Sequence, residues 1–469
     1  MDIKLKNFGK IKDAYIKLSG LTLIAGPNDS GKSTVGKSLF AIIKSIANYP
    51  DYFNQINNAY LYTEYLNPLR WEFRESSNSF FIPFSGIIRK NTILGMESNS
   101  DKEDFISLLK SIFTEKMLNA DNNTKINILN NLIEVLQQDK SIKNKDKIGE
   151  ALKKAIEFLK KNNTPKEKIR LIVNRILRDV FDGNINNSVH KDDIAKLAYT
   201  IDSENILSIS MKKNVAEVEA FDEQMPSFRD ATFIDNPLLL ECIYNRYNER
   251  IRLFDENDAF VKRISILEDL IEKKKKAEVK VNVESYYEDL FVDFKSVFNK
   301  AQFKYSDSRL KYTVNEDANE LEISNIASGS KSFGLLYILL KSGILTKDSL
   351  IIFDEPENHL HPEWQLKYAE IICKMVRNGF YVLLTSHSPY MIQALRTYSE
   401  KEGFFDERVN FYFAEKDKEE NYCNIVNVRD KNGNFDDSKI FKSLYSPIEE
   451  LEKLDLEYAL KSEEEYFKD

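Results

Sequence analysis

Apolar positions divide the chain into segments of different period. Ile3 and Leu5, then Ile11, Tyr15, Ile16 and Leu18, form short alternating stretches around Asn7-Phe8-Gly9-Lys10, the pattern of strands with one buried face. Leu21-Thr22-Leu23-Ile24-Ala25 is instead a compact apolar run, which predicts a strand buried on both faces. After a glycine-bearing turn, Val35, Leu39, Ile42, Ile43 and Ile46 recur at helical spacing. Strand, loop and helix thus follow one another at the start of the chain.

From about 100 to 185 the period is helical. Phe105, Leu108, Leu109, Ile112 and Phe113 form one stripe, Ile128, Leu129, Leu132, Ile133 and Leu136 a second, and Leu152, Ala155, Phe158 and Leu159 a third, with Pro165 and Gly183-Asn184 as punctuation. Strand patterns return at 197–201, 206–211, 215–221 and 231–234, and again at 303–305, 310–313 and 320–323. The expected organisation is an N-terminal lobe over 1–50, a helical insertion over 51–195, strands returning to the core over 196–236, a helical segment over 237–300, the second part of the core over 301–430, and a polar tail over 431–469 that ends in an acidic helix from Glu449 to Tyr466.

Composition narrows the class. With 42% hydrophobic and 12% aromatic residues in 469, the chain is globular rather than disordered or a coiled-coil rod. Lys and Arg total 67 against 75 Asp and Glu, a net charge of −8, which argues against a general electrostatic nucleic-acid binder. A local basic patch remains open, with Lys160-Lys161 and Lys273 to Lys276 as its candidates. Three cysteines, Cys242, Cys373 and Cys423, form no CxxC pair, so neither a disulfide framework nor a zinc site is expected. The lysine-rich start lacks an apolar core for a signal peptide, and nowhere do ~18 apolar residues run together as a membrane span requires. A cytoplasmic protein without membrane association is the expectation.

Two segments carry chemistry. Gly26-Pro27-Asn28-Asp29-Ser30-Gly31-Lys32-Ser33-Thr34 fits GxxxxGK[ST] between the buried strand and the amphipathic helix. Glycines let such a loop turn successive N–H groups toward phosphate oxygens, and the helix that starts at Lys32 adds its positive dipole end. Lys32 can reach the β- and γ-phosphates, while the Ser33 hydroxyl is placed to ligate Mg²⁺. The second segment, Ser349-Leu350-Ile351-Ile352-Phe353-Asp354-Glu355, is an apolar strand ending in two acids. Buried strand ends tolerate such acids when an ion or a partner meets them. Asp354 is the expected Mg²⁺ ligand, and Glu355 the group that orients and deprotonates an attacking water.

Asp354-Glu355-Pro356-Glu357-Asn358-His359-Leu360-His361-Pro362 resembles the DEPExxLHP motif of ABC-type ATPases related to the overcoming-lysogenization-defect group, whose heads are similar to those of chromosome-maintenance (SMC-like) and DNA-repair ATPases. Ala327-Ser328-Gly329-Ser330-Lys331 resembles the ABC signature loop, and Thr385-Ser386-His387-Ser388-Pro389 the switch-histidine motif. The resemblance covers about a quarter of the chain, with the four motifs in the family's order. It implies an α/β fold, an ABC-type P-loop NTPase head with a mixed central sheet, an antiparallel β subdomain and a helical insertion. It also implies ATP and Mg²⁺ as cofactors and a nucleotide sandwich between two copies. There Ser328, Gly329 and Ser330 act in trans and His387 contacts the γ-phosphate in cis.

The signature reads SGSK where transporters carry SGGQ, which speaks against a transporter subunit. No glutamine loop follows the first helix; Asp235-Asn236-Pro237 stands where that loop is expected. His359 and His361, two positions apart, do not make a closed zinc shell with Glu357. After His387 no acidic cluster forms a two-metal nuclease site, so any nuclease or toxin effector is expected on a separate chain. Stand-alone heads of this size resemble ATPase subunits of bacterial two-gene antiviral systems of Septu and retron type. The expected function is therefore a Mg²⁺-dependent ATPase, a homodimer or higher oligomer, that senses or restrains in phage defence. The alternatives are an SMC-like DNA-binding repair ATPase, which leaves nucleic acid as a partner, and an ATP-stabilised scaffold with little turnover.

Overall fold

The computed structural model describes residues 1–47, 49, 53, 57–58, 61–66, 120–138, 145–161, 164–185, 193–224, 228–244, 265–276, 287–298, 301–306, 309–314, 320–417, 422–429, 435–436 and 438–466. The stripe at Phe105 to Phe113 lies outside them. In chain order the elements are β1 (Asp2–Phe8), β2 (Ile11–Lys17), β3 (Leu21–Ala25), α1 (Lys32–Ala47), α2 (Asn122–Gln138), α3 (Lys145–Lys161), α4 (Pro165–Phe181), β4 (Ala195–Ile201), β5 (Glu204–Lys212), β6 (Val215–Phe221), β7 (Asp230–Ile234), α5 (Leu239–Tyr244), α6 (Ile266–Lys276) and α7 (Glu288–Phe298). They continue with β8 (Gln302–Ser306), β9 (Arg309–Thr313), β10 (Leu321–Glu322), α8 (Ser328–Lys341), β11 (Ser349–Asp354), α9 (Pro362–Arg377), β12 (Tyr381–Ser386), α10 (Pro389–Lys401), α11 (Phe405–Arg408), β13 (Val409–Lys416), β14 (Cys423–Asn427) and α12 (Ser438–Tyr466). The chain forms two compact units: Met1–Ala47 with Leu177–Asn248 and Ile264–Asp469, and Asn48–Ile176 with Glu249–Arg263.

In the first unit eleven strands make one sheet in the order β6-β5-β4-β1-β2-β14-β13-β3-β12-β11-β7. Its half from β13 to β7 is parallel, with Leu384 beside Leu23 and Phe353 beside both Leu384 and Ile234. The strands β6-β5-β4-β1-β2 form an antiparallel wing, where Leu5 pairs with Ala14 on β2 and Leu197 on β4, and β14 joins the two parts, parallel to β2 and antiparallel to β13. Burial follows the sequence patterns: β3 is buried at every position, whereas β1 and β4 alternate. Apolar runs suit strands covered on both faces, and alternation suits strands covered on one. This is the mixed sheet with an antiparallel part that the sequence led us to expect.

Two helical layers enclose the parallel half. Leu23, Ala25, Ile351, Phe353, Val382 and Leu384 join the core built by α8, α9 and α10. The residues between them point to the other face, because side chains alternate along a strand. There α1 approaches so closely that a Cβ on Gly36 would lie 3.0 Å from Ile352 and 3.1 Å from Phe233. Phe40, one turn further, meets Phe233 edge-on with ring centroids 6.2 Å apart.

The far end of α1 carries a buried charge cluster. Lys44 Nζ contacts Asp230 Oδ1, at the start of β7, and Asp269 Oδ1 on α6. Lys273 Nζ lies 2.9 Å from Asp230 Oδ2 and 3.0 Å from Asp269 Oδ2, and donates to Ala231 O at 2.7 Å and Thr232 Oγ1 at 2.6 Å. Burial pushes the Asp230 carboxyl up, but Lys273 and Lys44 outweigh it and hold it below its ordinary value. Lys273 therefore leaves the list of candidate surface cations: its side chain is 10% exposed and faces two aspartates. A run of lysines in sequence does not say which one the helix turns inward.

The second unit has its own core, in which Leu129, Leu132 and Leu136 of α2 pack with Leu152, Ala155 and Leu159 of α3. Ile128, Ile133 and Phe158, from the same stripes, border it half-buried. Lys125 is buried there and donates to Asn58 Oδ1 at 2.6 Å; desolvation lowers its pKa to about 8. In the tail, the expected helix begins earlier than Glu449. Its first turns bury Ile440 and set Phe441 and Leu444 against the core of the first unit. Pro447 has no N–H to offer Ser443 O four residues back. The Ser446 hydroxyl donates to that carbonyl instead, at 3.1 Å.

Candidate functional site

The expected site residues from 26 to 31 form the turn after β3, and Lys32, Ser33 and Thr34 open α1. Gly26 sits at φ 155°, where a Cβ would stand 2.9 Å from Ala414 Cβ and 3.1 Å from the Ala414 carbonyl, so the close approach of β13 requires glycine. Its N–H donates to Ser386 O at 3.2 Å, pinning the loop to the end of β12. Asp29 and Gly31 adopt φ 65° and 80°, and Asp29 is held by Lys10, from the β1–β2 turn. Lys10 also pulls the Asp29 carboxyl below its ordinary pKa. Pro27 is half-buried and Asn28 exposed; the Ser30 hydroxyl is buried without a hydrogen-bond partner among the described residues. Thr34 closes the first turn by donating its N–H to Gly31 O at 3.0 Å.

Lys32 begins α1 and is 3% exposed. Its ammonium donates to Gly26 O at 2.9 Å and Pro27 O at 2.7 Å, and lies 3.2 Å from Glu355 Oε1. Two carbonyls and a carboxylate thus surround a cation in a cradle of backbone, the kind of oxygen environment that phosphate would also present. The Ser33 hydroxyl donates to Asp354 Oδ1 at 2.9 Å, and the Thr385 hydroxyl donates to the same oxygen at 2.5 Å. Three hard oxygen donors converge there from α1, β11 and β12, the donor type that Mg²⁺ prefers. Asp235, just past β7, has its carboxyl pushed up by desolvation and by the nearby Asp354. The neighbouring Asn236 turns its side-chain oxygen to the Leu238 N–H at 2.8 Å, starting α5.

Glu355 occupies φ 50°, a conformation costly for a residue with a Cβ. Its N–H donates to Thr385 O and Thr385 Oγ1, both at 3.1 Å. His387 Nδ1 lies 3.4 Å from Glu355 Oε2 and 3.3 Å from Glu357 Oε1. Those distances are within ion-pair reach, yet Nδ1 has no aligned hydrogen bond to either oxygen. His387, with Lys32 behind it, holds the Glu355 carboxyl at about 2; Glu355 in turn raises the imidazole above its ordinary value.

Sequence reasoning missed two participants. Thr385 stood in a quoted motif without a role, and Glu357 was weighed only as a metal ligand beside His359 and His361. Glu357 is 4% exposed and faces residues 386–388. His361 turns away to cap α9, its Nδ1 accepting from the Glu363 N–H at 3.4 Å. A glutamate in a loop rich in polar residues carries no mark of burial; only the crossing of β11 and β12 loops supplies it.

The structure brings 26–34, 354–355 and 387 to one edge of the sheet and places 328–330 at the start of α8. There Gly329 lies under Trp364, whose ring a Cβ would meet at 2.9 Å. Ser330 neighbours the Tyr312 hydroxyl. Lys331 Nζ is tied to Glu241 at 2.5 Å and to Ser324 O at 3.2 Å, so it is not a free cation of the signature loop.

A parallel sheet with a phosphate-type loop after one strand, acids after the next but one, and a histidine after the strand between them defines a P-loop ATPase head of mixed α/β architecture. The family model described as AAA ATPase domain matches residues 1–392, and the chain belongs to that family. The Septu protein PtuA of Bacillus thuringiensis is 32% identical over 93 residues, which cover 17% of this chain and 23% of that protein. The match thus spans less than a quarter of the relative's length. Among solved structures, the SMC head domain from Thermotoga maritima aligns at 9% identity and a TM-score of 0.36, covering 91% of this chain and 98% of that one. The Smc head domain with an extended coiled coil from Pyrococcus furiosus, bound to the C-terminal domain of ScpA, aligns at 11% identity and a TM-score of 0.36, with coverages of 97% and 98%. Among the described residues no helix is long and apolar enough to cross a membrane.

Proposed function

We propose that this chain is a Mg²⁺-dependent ATPase whose nucleotide closes a homodimer or higher oligomer, and that it regulates a separate nuclease or toxin effector in a bacterial antiviral system. One observation carries the catalytic part. Lys32 and Ser33 meet Glu355 and Asp354, more than 300 positions away in sequence, and Glu355 also meets His387 from a third strand end. Ser33 and Asp354 are the residues that would hold Mg²⁺, which when bound neutralises developing phosphate charge. The loop from Gly26 to Thr34 cradles the phosphates with the backbone N–H groups that Ser386 and Gly31 do not already take, and the Ser30 hydroxyl is available to them. Lys32 exchanges two carbonyls for phosphate oxygens. Glu355, ionised at neutral pH, takes the proton of the attacking water, and His387 contacts the γ-phosphate. Ser328, Gly329 and Ser330 are offered at a helix N-terminus to the nucleotide of a second copy.

The antiviral assignment draws on the local match to a Septu protein and on the resemblance of the motifs. The DNA-repair reading is weakened by Lys273, which is spent inside the fold, whereas Lys160 and Lys161 are exposed. The scaffold reading is disfavoured because each catalytic position is filled. Glu355→Gln separates them: turnover should fall about 100-fold or more while ATP stays bound and the dimer persists in light scattering with ATP. Unchanged turnover in this variant would remove Glu355 from the role given to it.

A further inference from the structure

The loop that carries His387 is held by a carboxylate from outside its own strand. Glu357 Oε1 accepts the Ser386 hydroxyl at 2.7 Å, the His387 N–H at 2.8 Å and the Ser388 N–H at 3.3 Å, and His387 Nδ1 stands 3.3 Å away. Three donors on one oxygen fix that oxygen relative to the loop, and the loop relative to the acids two and three residues before Glu357. The Ser388 hydroxyl continues the chain of contacts, donating to Gln365 Oε1 at 2.5 Å on α9, whose Nε2 donates to Leu360 O at 3.1 Å. Glu357 Oε2 is buried with no hydrogen-bond partner among the described residues. A buried carboxylate oxygen left without a donor is expensive; burial pushes the Glu357 carboxyl up, and the Ser386 hydroxyl, the His387 N–H and the imidazole work against that.

We propose that Glu357 is a positioning residue for the reaction: it sets the place and the charge state of His387, and so couples the loop after β11 to the loop after β12. The inference rests on the ATPase reading above for its kinetic consequence, but not for its structural one. Charged groups face the imidazole from two directions, Glu355 and Glu357 from the loop after β11 and Lys32 from α1. With Glu357 neutral, Glu355 and Lys32 act on the imidazole with opposite sign, and the remaining hold on the loop is geometric. Glutamine keeps an acceptor oxygen at the same reach, so Glu357→Gln separates charge from geometry. Aspartate keeps the charge but is one methylene short of the three donors.

The test uses the full chain and two readouts. Histidine-labelled protein has four imidazoles, and His387→Gln assigns the one in question. In Glu357→Gln its titration midpoint should fall by roughly one pH unit; an unmoved midpoint overturns the proposal. In steady-state kinetics Glu357→Gln and Glu357→Asp should each lower kcat about 10- to 100-fold, with KM for ATP changed less than about threefold. In a His387→Gln background the same substitutions should cost less than about threefold further, because residues acting through one another are not additive. Full multiplicative losses in that background, or a raised KM at unchanged kcat, overturn it. If the wild-type chain does not hydrolyse ATP, the functional reading fails and the imidazole titration alone decides the positioning role.

Discussion

The two ends of α1 each bury a lysine, and they do so for opposite reasons. Lys32 at the start is 3% exposed and Lys44 near the end is 2% exposed. Lys44 shares two aspartates with a second lysine, so formal charges balance within the cluster. Lys32 has one carboxylate, Glu355, which His387 also claims, and otherwise two backbone carbonyls. A balanced cluster has nothing to gain from an added anion. A cation held by neutral carbonyls can exchange them for phosphate at little rearrangement cost. Burial of a charge therefore does not mark a site; incomplete compensation does.

Substitutions should pull the two ends apart. Lys44→Met leaves Asp230 and Asp269 with a single lysine between them, and is expected to destabilise the first unit by about 3–5 kcal/mol, read as a lowered melting temperature. An unchanged melting temperature would mean that the cluster is open to water. Lys32→Ala should do the reverse, weakening ATP binding about 100-fold or more in calorimetry while the melting temperature without nucleotide moves little.

A smaller effect belongs to His387. Its folded pKa lies above the unfolded value of 6.5, so its stabilising contribution is complete below that pH and is lost as pH rises through the folded value. Melting temperature should thus fall more steeply above pH 6.5 in the wild type than in His387→Gln. Parallel profiles would refute the pairing. The smallest effect is expected at Asp29, whose partner Lys10 is 39% exposed: Asp29→Asn should change stability by less than about 1 kcal/mol in the same melts.

Much of this was legible in the amino-acid order, and for a definite reason. Strand and helix periods are local, so β3, α1, β11 and the alternation of the wing could be read from spacing, as could the loop of 26–34 and the acids at 354–355. Glycine at 26 and the apolar run before it constrain one another within a few bonds. Which face of α6 turns inward is not local; it depends on Asp230 and Lys44 arriving from β7 and α1, and that is why Lys273 looked like a surface cation. The helix at the tail began eleven residues before its expected start because Ile440, Phe441 and Leu444 pack on a core assembled elsewhere. The same holds at the site.

By itself the sequence determined which side chains are chemically able to meet a phosphate and in what order they occur, since motif and period are properties of neighbouring residues. Only the tertiary structure decided that β12 lies between β3 and β11, placing Thr385 on Asp354 and the 386–388 loop on Glu357. Strand order is set by packing across hundreds of residues, and hydrogen bonds between loops exist only once that order is fixed.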